Sequence, residues 1–194
     1  MSKFYPLRVA GVRNETRDTI AVTFDVPPEL AESFKYQQGQ HLTLRAMIDG
    51  EDVRRSYSIC SAVQDNILRV AIKRTSGGMF STWANETLKA GDVLEVMPPM
   101  GHFNVPLAPE NARHYAAFAA GSGITPILSI IKTTLQAEPN SQFTLFYGNR
   151  ASSTVIFREE LTDLKDIYMD RLNVAYVMSR EQQDIELFNG RITK

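Results

Sequence analysis

Only one of the 194 residues is cysteine, Cys60. A single thiol cannot close an intrachain disulfide, and neither a structural zinc site nor an iron–sulfur cluster, which takes about four thiolates, can be assembled around it. An excess of one charge is also missing. Lys and Arg number 21 against 22 Asp and Glu, a formal net charge of −1, so no bulk positive field favours nucleic acid. No apolar run reaches the ~18 residues of a membrane-crossing helix. The opening residues Met1-Ser2-Lys3-Phe4-Tyr5-Pro6 have no apolar stretch of the signal-peptide kind, and a soluble cytoplasmic protein is expected. The three histidines, His41, His102 and His114, are too scattered to suggest a metal site. With 11 Gly, 9 Pro and 43% hydrophobic residues, disordered and collagen-like chains are excluded and an ordinary globular protein remains.

What is present divides near residue 110. In residues 19–26, Ile20, Val22, Phe24 and Val26 alternate with Ala21, Thr23 and Asp25, the period-2 pattern of a strand with one buried face. Leu42 and Leu44, then Leu68, Val70 and Ile72, repeat it, residues 93–97 do so more loosely, and 7–12 and 53–59 complete about six strands. Such spacing predicts an antiparallel sandwich or small barrel. Phe80, Trp83, Ala84 and Leu88 fall on one side of a helical period. Beyond 106–111, HYAAFAA, QFTLFY and LNVAYVM (residues 114–120, 142–147 and 172–178) read as strands covered on both faces. Ile127, Ile130, Ile131 and Leu135, and then Phe157, Leu161, Leu164 and Tyr168, supply helices between them. That order predicts a parallel sheet. Three strands are few for such a layer, and the expectation is a chain cut within its second domain.

Ala119-Ala120-Gly121-Ser122-Gly123-Ile124-Thr125-Pro126 forms a glycine-rich turn between a predicted strand and a predicted helix. The glycines permit tight backbone angles, Thr125 can cap the helix, and Pro126 suits its first turn. Free N–H groups and the helix dipole then form a site for a pyrophosphate, although Pro126 breaks a strict G-x-G-x-x-G and a purely steric turn is the plain alternative. Where an NAD site usually places an acid after the next strands, this chain has Tyr147-Gly148-Asn149-Arg150 and Met178-Ser179-Arg180. Arg150 and Arg180 suit a 2′-phosphate, while Glu181 could neutralise Arg180. In the first half, Arg54-Arg55-Ser56-Tyr57-Ser58 sits on a strand whose alternation puts Arg55 and Tyr57 on one face and Ser58 on the other. Ile72-Lys73-Arg74-Thr75-Ser76-Gly77-Gly78-Met79-Phe80-Ser81 again sets a glycine turn before a helix, a second anion cradle. One cradle in each half is a layout for hydride transfer between two cofactors at the interdomain cleft.

Taken jointly, Arg55-x-Tyr57-Ser58, Gly78-x-x-Ser81 and Gly121-x-Gly123-x-Thr125-Pro126, in this order and at these intervals, resemble the ferredoxin-NADP reductase superfamily over nearly the whole chain. Within it, the likeness is to the reductase components of multicomponent bacterial oxygenases. The resemblance implies a six-stranded antiparallel FAD-binding β-barrel over residues 1–108 and a parallel α/β NADP-binding domain over 109–194, incomplete at its C-terminus. It implies that Arg55 pairs with the FAD pyrophosphate, with Ser56 beside it, that Tyr57 lies against the isoalloxazine, and that Ser58 hydrogen-bonds near N5. Ile72 and Lys73 would line the flavin. Gly77, Gly78, Met79, Phe80 and Ser81 would bind the FAD phosphates, through backbone N–H groups and the serine hydroxyl. Gly121, Ser122 and Gly123 would meet the NADPH pyrophosphate, and Thr125 the nicotinamide, which makes Ser58 and Thr125 the pair nearest the chemistry. Arg150, Ser179 and Arg180 would surround the 2′-phosphate. Family members often carry Pro-Gly-Gln where this chain has Gln38-Gly39-Gln40, and a late Cys-Gly-Pro segment that this chain lacks. The implied function is electron transfer from NADPH through FAD to a [2Fe-2S] centre in a missing C-terminal region, and on to an oxygenase component. A non-catalytic flavin or nucleotide sensor, and a sister reductase serving another oxygenase or a haem acceptor, are the alternatives.

Overall fold

Alternating apolar residues in the first hundred positions produce six strands in a computed structural model that describes residues 3–192. They are β1 (Tyr5–Thr16), β2 (Thr19–Asp25), β3 (His41–Ile48), β4 (Glu51–Ser58), β5 (Leu68–Lys73) and β6 (Val93–Val96). All pairs are antiparallel, in the order β4-β3-β6-β1-β2-β5. Ile59, just past β4, bridges Val70 of β5, so the two outer strands meet and the sheet closes into the expected barrel. Leu7, Val22, Leu42, Leu44, Val70 and Ile72 fill it and have no exposed surface. Helix α1 (Met79–Thr87) buries Phe80 and Ala84 against this interior, with the Trp83 ring edge-on to Phe80 at 5.5 Å. Among the described residues no helix is long and apolar enough to cross a membrane.

The second half runs β7 (His114–Ala120), α2 (Ile124–Ala137), β8 (Gln142–Asn149), α3 (Arg158–Tyr168), β9 (Leu172–Met178), with the strands parallel in the order β7-β8-β9. Here one expectation is corrected: among the described residues the sheet is covered on one face only. Successive crossovers step across the sheet in the same direction, and right-handed connections then put both helices on the same side. Tyr115, Ala117, Phe143, Leu145 and Tyr147 face those helices. On the other side Phe118 is 64% exposed, stacked on Phe146 at 5.0 Å with the rings 11° apart.

Between the two sheets the chain is tied at several points. Gln38 donates from Nε2 to the Val105 carbonyl at 2.7 Å. Gly39, at φ +84°, lies so close to the Phe103 carbonyl that a Cβ would stand 1.8 Å from its oxygen, so Gly39 can carry no side chain there. Ser129 on α2 donates to the Ser61 carbonyl at 2.7 Å. The main tie is a cluster of four charges. Arg69 of β5 donates to both Glu160 oxygens of α3 at 2.8 and 2.7 Å. Lys132 of α2 donates to Glu160 at 2.9 Å and to Asp65, in the loop before β5, at 2.6 Å. Burial pushes the Glu160 carboxyl up, but the Arg69 and Lys132 charges outweigh it and hold it below its ordinary 4.5. Cys60 is buried beside this cluster, its thiol giving a hydrogen bond to the Arg69 carbonyl at 3.3 Å. Burial pushes that thiol up to about 12.

Removing the charge at Glu160 strands Arg69 and leaves Lys132 with Asp65 alone. Glu160→Gln is expected to destabilise the fold by about 3 kcal/mol, as for other broken buried pairs, in a urea titration at neutral pH. Because the folded carboxyl titrates below its unfolded value, this contribution is complete above about pH 4.5 and is lost as pH falls through the lowered folded pKa. The wild-type chain should therefore lose stability in acid more steeply than Glu160→Gln. Cys60 should stay unlabelled by a thiol-specific disulfide reagent until the chain is unfolded by urea.

Candidate functional site

Period-2 geometry on β3 and β4 sets up the first of two adjoining cavities. Arg55 pairs with Leu44 and Tyr57 with Leu42. Directly opposed residues share a face, so an arginine and a tyrosine continue the very face that Leu42 and Leu44 bury in the barrel. Arg55 and Tyr57 line a cavity of about 400 Å³ together with Ser56, Ser58, Lys73, Thr75, Gly78, Phe80 and Ser81 from the barrel and Ser122, Gly123 and Thr125 from the second half. Tyr57 packs against Phe80 at 5.8 Å. Burial raises its phenol to about 12, against a lowering by Arg55, so it stays a neutral ring. Ser58 reaches the wall despite the alternation because β4 ends there and the chain turns toward the Ile59–Val70 bridge.

The turn before α1 is built around the Ser81 hydroxyl, which accepts from the Thr75 N–H at 3.2 Å and donates to the Gly78 carbonyl at 3.1 Å. A Cβ on Gly78 would stand 2.3 Å from Thr75 Oγ1 and 2.6 Å from Ser81 Oγ. A side chain there would have to push both hydroxyls out of the turn. The first turn of α1 leaves N–H groups without intrahelical partners, and they open beside Arg55. This cradle and the Arg55–Tyr57 face fit a flat aromatic cofactor with an anionic tail. Three expected residues are placed differently. Ile72 has its side chain wholly inside the barrel core, because alternation turns it away from its neighbour Lys73 at the wall. Gly77 and Met79 belong to the turn but are not among the lining residues of the cavity, and Met79 is exposed.

The second cavity, of about 490 Å³, is lined by Gly121 and Ser122 of the turn before α2, with Asn149, Arg150, Thr154, Ser179, Arg180, Arg191 and Ile192. Lys73 and Ser122 line both cavities. Glu181 is turned onto Ser152, accepting from its N–H at 2.8 Å and its hydroxyl at 2.9 Å, instead of neutralising Arg180. Among the described residues, Arg150, Arg180 and Arg191 take part in no ion pair. These three arginines, with Lys73 beside them and no carboxylate among the lining residues, suit a multiply charged anion. Arg191 escaped the sequence reading. It lies beyond any periodic pattern, and only the return of the chain, with Gly190 donating to the Met178 carbonyl at 2.8 Å and Ile192 packed over Gly148, brings it in.

The chain matches the oxidoreductase FAD-binding domain over residues 6–105 and the oxidoreductase NAD-binding domain over 118–194. It is 50% identical over 192 residues to one of the component proteins of the 1,2-phenylacetyl-CoA epoxidase of Escherichia coli, covering 99% of this chain and 54% of that protein. It is 41% identical over 179 residues to the ferredoxin reductase component of 3-ketosteroid-9-alpha-monooxygenase of Rhodococcus rhodochrous, covering 91% of this chain and 50% of the relative. The chain thus spans about half the length of these curated relatives. Its fold superposes on a ferredoxin NADP+ reductase of Neisseria gonorrhoeae solved with bound FAD and NADP, with a TM-score of 0.78 at 21% identity, covering 99% of this chain and 74% of that one. The CS-b5R domains of human Ncb5or give 0.81 at 23% identity, covering 100% and 56%. Of the segments Tyr147-Gly148-Asn149-Arg150 and Val177-Met178-Ser179-Arg180-Glu181, which narrow the sequence resemblance to the reductase component of phenylacetyl-CoA epoxygenase, Gly148, Asn149, Arg150, Ser179 and Arg180 line the second cavity.

Gly78→Ala should open the 75–81 turn while leaving the barrel core intact. Retention of FAD through desalting should then fall by roughly tenfold or more, the scale of one lost hydrogen bond to a charged group, as read by bound-flavin absorbance with an unchanged far-ultraviolet spectrum.

Proposed function

Because this chain belongs to the ferredoxin-NADP reductase family, we propose that it carries FAD on its barrel and NADPH on its parallel sheet, as the FAD- and NADPH-binding portion of a reductase that supplies a multicomponent oxygenase. The relative with 50% identity over 192 residues makes phenylacetyl-CoA epoxidation the proposed service. The observation that carries the reading is the shared wall: Lys73 and Ser122 border both cavities, so ligands held by the two anion cradles come together at the junction of the halves.

Bound FAD supplies a ring that takes hydride from NADPH and releases electrons singly. The protein's own part is binding and orientation. Arg55 offers its guanidinium to the FAD phosphates, and Tyr57 presents a neutral aromatic face. Ser58 places a hydroxyl at the cavity wall, where it can donate to a ring nitrogen. Gly121, Ser122 and Gly123 turn N–H groups toward the pyridine nucleotide, and Arg150, Ser179, Arg180 and Arg191 surround its 2′-phosphate. Thr125 is 6% exposed, and its hydroxyl donates to the Ser122 carbonyl at 3.0 Å. Thr125 therefore shapes the turn, at a wall of the first cavity where the nicotinamide would meet the flavin. No side chain need exchange a proton for this step. A [2Fe-2S] centre needs about four thiolates, and with Cys60 buried in the core that centre is assigned to sequence beyond these 194 residues. A sister reductase with another acceptor is the second reading, favoured by the 41% identity over 179 residues to the 3-ketosteroid monooxygenase component.

Rapid mixing of the FAD-loaded protein with NADPH should bleach the flavin absorbance. Binding without bleaching, in this chain and in a longer one, would leave only a sensor. Alanine at Arg150, Arg180 or Arg191 should each raise the KM for NADPH roughly tenfold or more with little change for NADH. An equal effect on both nucleotides would remove the 2′-phosphate assignment.

A further inference from the structure

Beneath the Gly121–Gly123 turn lies a fully buried phenol. Tyr147 stands near the end of β8 with no exposed surface, at a position where a phenylalanine would fill the same volume. A hydroxyl in such a place is unfavourable unless it is hydrogen-bonded. It donates to the Gly121 carbonyl at 3.0 Å, with the Ile156 carbonyl at 3.5 Å as a weaker acceptor. Gly121 is in the left-handed region at φ +51°. The next carbonyl, that of Ser122, accepts from Thr125 Oγ1 at 3.0 Å, and both carbonyls also receive the Ile124 N–H at the start of α2.

The electrostatics of the turn follow from this. A carbonyl oxygen repels phosphate oxygens and an N–H attracts them. A turn of three small residues can present either. Here two carbonyls are drawn down, one by a tyrosine from the sheet and one by a threonine from the helix, which leaves the N–H edge toward the cavity that Gly121 and Ser122 line. The floor carries a second signal. Asn149, two residues further along β8, is 8% exposed, lines the same cavity, and has its Nδ2 buried with no partner. A buried donor without an acceptor is rare. Its unneutralised positive end, in a residue of the cavity wall and next to the Tyr147 hydroxyl, adds to the pull on an anion there.

We infer that Tyr147 is a positioning residue of the pyrophosphate site: its hydroxyl holds the Gly121 carbonyl away from the ligand, so that the turn is preset for a diphosphate. The inference rests on the NADPH reading of this cavity. It assigns to Tyr147 no contact with the nucleotide and no part in selecting the 2′-phosphate.

Calorimetric titration of the wild-type chain and of Tyr147→Phe separates these levels, with three probes: NADP+, 2′-phospho-ADP-ribose, which keeps the diphosphate without nicotinamide, and 2′-AMP, which has no diphosphate. Tyr147→Phe should weaken the first two roughly three- to tenfold, the scale of one neutral hydrogen bond, and leave 2′-AMP within about twofold. Equal weakening of all three, or of none, would overturn the inference. Failure of the wild-type chain to bind either diphosphate probe would instead overturn the NADPH reading. A measurement that needs no variant is nuclear magnetic resonance of the wild-type chain. The Tyr147 hydroxyl proton should exchange slowly and show proximity to Gly121, and inorganic pyrophosphate should shift the amide signals of residues 121–123. A freely exchanging hydroxyl would end the proposal.

Discussion

The arrangement depends first on the four charges that join the barrel to the parallel sheet. Arg69 and Asp65 come from the barrel, Lys132 and Glu160 from the two helices that cover the sheet. Attraction between them is strong because both Arg69 and Glu160 are largely withdrawn from water, with side-chain exposures of 16% and 18%. Each charge is also held by hydrogen bonds of fixed direction. A cluster of this kind specifies one relative placement of its parts more than it adds net stability. Placement is what this molecule requires, since its two cavities share a wall and a small rotation of either half would separate them.

Within each cavity the same economy of small hydroxyl side chains recurs. Ser81 closes the turn before α1 by bonding Thr75 and Gly78. Thr125 does the same for the turn before α2 by bonding Ser122. In both, the hydroxyl of a residue that the family resemblance sets beside a ligand is spent on the backbone of the turn. The glycines act alongside them: Gly78 leaves room for the Thr75 and Ser81 hydroxyls, and Gly121 supplies a left-handed angle.

Local pattern accounts for what was legible in the residues. Alternation marked four of the six barrel strands, residues 7–12 and 53–59 completing the count, and the switch to helical spacing marked α2 and α3. Arg55, Tyr57, Gly78 and Gly121 stood out because turn chemistry and strand faces are properties of neighbours in sequence. Partnerships across the fold were not legible. Nothing near Glu160 in sequence announces Arg69, 91 positions away. Arg191 joins its cavity only through a backbone return onto Met178, and the hydroxyl of Tyr147 gains its meaning from Gly121. The one-sided cover of the sheet was missed for a related reason. A run such as HYAAFAA is apolar on both faces after its first residue, so it cannot say which face receives the helices; the handedness of the crossovers decides that.

The bare side of that sheet has a bearing on how the molecule behaves in bulk. Phe118 and Phe146 lie as a flat, parallel ring pair in contact with water, with no polar group of their own to hydrate. Such a patch lowers solubility in proportion to the oil-like area shown, and salting-out agents strengthen its pull. A dilute, low-sulfate buffer therefore suits this polypeptide better than the concentrated precipitants under which proteins are usually crystallised.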